Sequence, residues 1–88
     1  MTFGEITKML EETYLKKNHD YGNSFDKSMD EFGLVASAIR LSDKMNRFKS
    51  LLTKENRVDD ENISDTLLDM ANYAIMTYLY IQNNNHSN

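Results

Sequence analysis

From Glu61 to Ile81 apolar residues cover more than half of a helical wheel, so any fold this chain adopts must cover that segment on more than one side. Ile63, Leu67, Leu68, Met70, Ala71 and Ala74 begin the apolar set, and Ile75, Tyr78, Leu79 and Ile81 complete it. Along its border run Asp65, Asp69, Asn72 and Met76, at i, i+4, i+7 and i+11. Like charges one turn apart oppose a helix by roughly 0.2–0.5 kcal/mol in water. The penalty grows as the surroundings lose water. Asp65 and Asp69 therefore need a cationic partner, either Arg and Lys from another helix or a bound metal ion.

The remaining sequence supplies helices and little else. Proline is absent, and no stretch alternates apolar and polar residues long enough to read as a strand. Thr2 to Glu5 form a capping box that opens a first helix through Ile6, Leu10 and Tyr14 to about Asn18. His19 to Ser24 break it, with Gly22 and Asn23 suited to positive φ. A second capping box, Ser28 to Glu31, predicts a helix running unbroken to about Thr53. That helix carries one apolar seam, Leu34, Ala38, Leu41, Met45, Phe48 and Leu52, and an opposite apolar patch of Phe32, Val35, Ala36 and Ile39. Residues 54–60 read as a polar connection in which Asp59 or Asp60 caps the third helix.

The expected class is all-α: one domain over residues 1–82, with a disordered tail over 83–88. Three helices, one of them apolar on two sides, bury more surface against a second copy than alone. A homo-oligomer follows, most simply a homodimer with a four-helix core.

Charge narrows the partners. The net charge of -4 hides a polarity along the chain: residues 40–57 carry six Lys or Arg against Asp43 and Glu55, whereas residues 58–88 carry five acids and no base. Long nucleic acid is excluded as a partner by so short a basic stretch, faced by acid. A small phosphorylated ligand remains. No apolar run reaches the roughly 20 residues of a membrane span, and Met1 to Glu5 lack the pattern of a secretory leader, so a cytoplasmic location is expected. With no Cys and only two His, no zinc constellation can form. Oxygen donors remain, which suit magnesium or manganese.

Three groups can carry chemistry. Asp65 and Asp69 can hold one divalent ion directly or through water, with Asp43 or Glu61 adding a further oxygen. Equally, Arg40, Lys44 or Arg47 can pair with them across a helix interface. Those three cations lie at i, i+4 and i+7, and arginine is suited to bidentate contact with phosphate. The plainer reading is a solvated basic face. Lys17 to Phe25 bring a cation, an amide, an acid, two aromatics, a glycine and a hydroxyl into one turn, able to hold a base by stacking. The same turn also reads as a helix stop with Tyr21 and Phe25 as core anchors.

Together, Lys17-Asn18-x-Asp20-Tyr21-Gly22-x-Ser24-Phe25, Arg40-x-Ser42-Asp43-Lys44-x-x-Arg47, and Glu61-x-Ile63-x-Asp65-x-x-x-Asp69-x-x-Asn72-Tyr73 resemble the nucleotide modification associated domain family, type 1, small proteins of phages and bacteria. More distantly, the pattern looks like the all-α nucleoside triphosphate pyrophosphatases, the MazG and dimeric dUTPase group. The resemblance implies a MazG-like helical bundle. It also implies Mg2+ (or Mn2+) on Asp65 and Asp69, with Asp43 or Glu61, and hydrolysis of a nucleoside triphosphate to monophosphate and pyrophosphate. Nucleotide contacts would come from Lys17, Asp20, Tyr21, Gly22 and Ser24, from Arg40, Lys44 and Arg47, and from Asn72 and Tyr73. This chain departs from the group in its acids, since the second helix offers only Asp43 where several carboxylates are expected. A non-catalytic phage-type protein that sequesters a nucleotide signal in the host cytoplasm is the alternative, and a helical interaction module is the third.

Overall fold

Two left-handed residues in succession, Gly22 at φ 61 and Asn23 at φ 63, end one helix and begin the next. The computed structural model describes residues 1–53 and 60–84, with the side chains of Asp60 and Glu61 outside that description. Four helices follow in order: α1 (Phe3–Tyr21), α2 (Ser24–Phe32), α3 (Val35–Thr53) and α4 (Asp60–Asn84), with no strand among the described residues. The protein is all-α.

The expected capping box at Thr2 is present, with the Thr2 amide donating to Glu5 Oε1 at 2.7 Å and the Glu5 amide donating to Thr2 Oγ1 at 3.1 Å. Helix α1 runs one turn beyond the expected end at Asn18, because the Gly22 amide closes it on the Asn18 carbonyl at 3.0 Å. The turn itself is thus confined to Gly22 and Asn23.

The expected single helix from Ser28 to Thr53 is in fact two. Ser28 lies inside α2 and caps nothing, and the chain breaks at Gly33, whose φ of 76° and ψ of −164° no helix accommodates. Helix α4 continues past the expected end at Ile81, and the Asn84 side-chain amide donates to the Tyr80 carbonyl at 2.9 Å. Residues 83 and 84, expected in the tail, are therefore helical. The expected polar connection and its Asp59 cap, and residues 85–88 of the tail, lie outside the described residues.

Helices α3 and α4 form the main antiparallel pair. Ser37 hydrogen-bonds Thr77, and Lys44 reaches Asp69 nearer the other end. Helix α2 folds back on α3, and α1 lies along α4, tied by the Asn72 amide to the Leu10 carbonyl at 3.3 Å. Among the described residues the buried apolar ones are Leu10, Phe25, Met29 and Leu51, a small core for a molecule of 49 × 27 × 25 Å. The expected two-sided helix is divided accordingly. Leu41 and Phe48 of the seam are half-buried, whereas Leu34, Ala38, Met45 and Leu52 stay exposed, as do Phe32, Val35 and Ile39 of the opposite patch.

One further strap joins α4 to α2: the Tyr80 hydroxyl donates to Asp30 Oδ1 at 2.6 Å. That hydrogen bond, then desolvation, then the charges of Asp30 and Asp26 push the phenol above its ordinary range. A raised value means the folded chain holds the phenolic proton more tightly than the unfolded chain does. The strap thus contributes below about pH 10 and is lost as pH rises through the folded value. Melting curves of the native chain and Tyr80→Phe are expected to differ at neutral pH and to converge at alkaline pH; a constant offset would remove the strap from the account.

Candidate functional site

Helix periodicity puts one polar and aromatic face of α1 opposite one of α4. On α1, Tyr14, Lys17, Asn18 and Tyr21 fall at i, i+3, i+4 and i+7; on α4, Asp69, Asn72, Tyr73 and Met76 repeat the spacing. With Thr13, the start of α2 at Ser24 and Phe25, and Arg40 of α3, these faces line a cleft of about 200 Å³.

Arg40 is the organising side chain. Its guanidinium carbon lies 5.3 Å from the centre of the Phe25 ring and 5.8 Å from that of Tyr73. The two rings stack with centroids 6.1 Å apart and planes inclined by 25°. One terminal nitrogen donates to Ser28 Oγ at 3.1 Å. Arginine has five N–H donors in a rigid plane, so this arrangement fixes the group and leaves donors over.

The cleft is electropositive by subtraction. Its acid, Asp69, is already paired with Lys44, Nζ to Oδ2 at 2.9 Å, and this is the ion pair within 4.0 Å found among the described residues. Among the described residues no carboxylate lies within 4.0 Å of Lys17 or Arg40, so their charge on the cleft wall is unpaired there. The pairing of Lys44 with Asp69 is one of the two outcomes the sequence left open.

The remaining expected site residues disperse. Arg47 and Asp43 share a neighbouring hollow of about 250 Å³ with Arg40, Lys44 and Tyr73. Asp65 is exposed and shares with Asp69 a different hollow of about 250 Å³, bounded by Met9, Leu10 and Leu68. Asp20 and Gly22 do not line the cleft; Gly22 serves the turn beside it. The Glu61 side chain lies outside the described residues. Phe25 is buried while Tyr21 is two-thirds exposed on the cleft, so only Phe25 is a core anchor. The sequence reading missed Thr13, Tyr14 and Ser28; Tyr14 was visible as one turn before Lys17 and Asn18, but Ser28 was not, because its role depends on the fold-back at Gly33.

The candidate magnesium ligands are spread over separate hollows among the described residues. Among the described residues no three of His, Asp and Glu come together as ligands. Asp69 has its ammonium partner, and Asp43 lines a hollow that contains neither Asp65 nor Asp69.

A family model described as nucleotide modification associated domain 1 matches residues 17–81, about three quarters of the chain and all of the cleft except Thr13 and Tyr14. No curated protein and no solved structure matches.

Proposed function

The chain belongs to the nucleotide modification associated domain 1 family, and from that membership we propose that it binds a nucleotide in the α1–α4 cleft without needing a metal ion. The observation carrying the reading is Arg40: held beside the stacked Phe25 and Tyr73 rings and by Ser28, it keeps donors to spare and has no carboxylate partner within 4.0 Å among the described residues. Such a pre-oriented fork recognises phosphate oxygens in pairs. Lys17 adds a second cation, while Tyr14, Tyr21 and Tyr73 offer ring surface for a base, and Asn18 and Asn72 offer amides for its edge. Pockets that enclose drug-sized ligands run to about 300–1,000 Å³. A cleft of about 200 Å³ suits one nucleotide, partly exposed, better than an enclosed dinucleotide.

Calorimetry with nucleoside mono-, di- and triphosphates tests this directly. Binding is expected to persist with no measurable change in Kd when EDTA is added, and the ligand is expected to be recovered intact. No heat with any of them would remove the proposal.

A second reading, a magnesium-dependent nucleoside triphosphate pyrophosphohydrolase, is favoured by one observation. Asp69 borders both the cleft and the hollow that holds Asp65, so both carboxylates lie beside the place assigned to the phosphates. On that reading, pyrophosphate accumulates with magnesium and ceases to do so in Asp69→Asn.

A further inference from the structure

Resting on the nucleotide reading of the cleft, we infer that the ligand is a nucleotide whose base carries an apolar arm, and that the arm lies in a second hollow further along α1 and α4. That hollow, of about 480 Å³, is more than twice the size of the cleft, at about 200 Å³. It lies within the range of about 300–1,000 Å³ that encloses drug-sized ligands, which the cleft by itself does not reach.

Helix geometry makes the two hollows one groove. On α1, Gly4, Thr7, Glu11, Tyr14, Asn18 and Tyr21 recur at alternating steps of three and four residues and so form one stripe. The stripe lines the hollow from Gly4 to Tyr14 and the cleft from Tyr14 to Tyr21, so Tyr14 belongs to both. On α4, Asp69, Asn72, Met76 and Leu79 repeat the spacing, with Asn72 and Met76 shared. From Tyr73, beside Arg40, to Leu79 in the hollow is about 9 Å along the helix axis, a length that a base and a short arm span.

Charge selects an apolar arm over a second phosphate. The cleft holds Lys17 and Arg40, whereas the hollow pairs one cation, Lys8, with one acid, Glu11, and has no net charge to offer. Its wall is otherwise largely aliphatic: Leu10, Ile75, Met76 and Leu79, with Ile75 50% and Leu79 40% exposed. An apolar arm takes that surface out of water. At the far end stands Gly4, where a Cβ would meet only Thr2 Oγ1, at 3.9 Å, so the space beside it is open.

Calorimetry on two matched pairs tests this: AMP against N6-benzyl-AMP, and UMP against 5-benzyl-UMP. The benzyl member of at least one pair is expected to bind about 10- to 60-fold tighter, from two or three methylene equivalents hidden at about fourfold each. Leu79→Ser cuts away the wall and Gly4→Leu fills the space, so each is expected to abolish that gain while the Kd of the plain nucleotide stays the same. The two changes sit on different helices, and if one variant does not fold the other decides. Arg40→Gln is expected to weaken both members of a pair alike. Equal Kd within both pairs overturns the inference and leaves the nucleotide reading standing, as does a gain that survives every folded hollow variant. Octyl phosphate binding as tightly as N6-benzyl-AMP also overturns it, in favour of an amphiphile without a base. Absence of binding by all four nucleotides removes the nucleotide reading and the arm with it.

Discussion

Arg40→Gln is expected to weaken nucleotide binding by about 10- to 150-fold, the factor that corresponds to losing a charged hydrogen-bonding group worth about 1.5–3 kcal/mol. Glutamine retains much of the stem that packs beside the Phe25 and Tyr73 rings but has neither charge nor fork. Arg40→Lys separates the two losses. Its ammonium restores a point charge, yet it cannot present two parallel N–H groups in one plane. An intermediate Kd is therefore expected for Lys, with the larger share of the defect remaining. The ring contacts and the Ser28 bond also hold α2 on α3, so melting temperature is measured beside affinity. A Gln variant that melts lower but binds as tightly as the native chain places the nucleotide elsewhere.

Much of that site was legible because its residues occupy helix faces with fixed spacing. Lys17 and Tyr21 lie one turn apart on α1, and Asn72 and Tyr73 follow Asp69 within a turn on α4, so each set arrives at the cleft together. The same geometry sets Asp43 apart from Asp69 once Lys44 is known to face it. Neighbouring residues on a helix point about 100° apart, so an α3 that aims Lys44 at Asp69 must aim Asp43 away from it. A sequence cannot disclose in advance which of the two neighbours faces inward. The ring pair beside Arg40 was hidden for a different reason. Phe25 and Ser28 reach it only because α2 doubles back on α3, and nothing in their own spacing marks that contact.

The all-α class was legible in the absence of alternation and in the Thr2 to Glu5 cap, which is local and therefore visible. The break at residue 33 was not. A lone glycine within an apolar helical pattern is compatible with a continuous helix at a cost of about 1 kcal/mol, and also with a turn. Ser28 to Glu31 imitated a capping box by spacing alone, while the helix really begins after the left-handed pair at Gly22 and Asn23. Long-range packing decided between the two. Folding back buries Met29 to 1% exposure and Phe25 to 4%, half of the small apolar core, which a straight rod from 28 to 53 would leave in water.

Gly33→Ala is accordingly expected to destabilise the chain by about 1–3 kcal/mol, the cost of holding a side-chain-bearing residue in a backbone region reserved for glycine. For a domain of this size that lowers the melting temperature by about 5–20 °C at fixed chain concentration. The cost is one of conformation, not crowding, because a Cβ at residue 33 would meet nothing within 4 Å. Gly4→Ala is the control of opposite sign. It lies inside α1 at ordinary helical φ, where its Cβ would meet only Thr2 Oγ1 at 3.9 Å, so stability is expected to hold or rise slightly. Binding follows the fold in this pair. If alanine straightens residue 33 and lets α2 run on into α3, Phe25 and Ser28 leave Arg40 and affinity falls together with the melting temperature. An alanine variant with higher helicity, an unchanged melting temperature and native affinity would show that the reversal at Gly33 is not what builds the cleft.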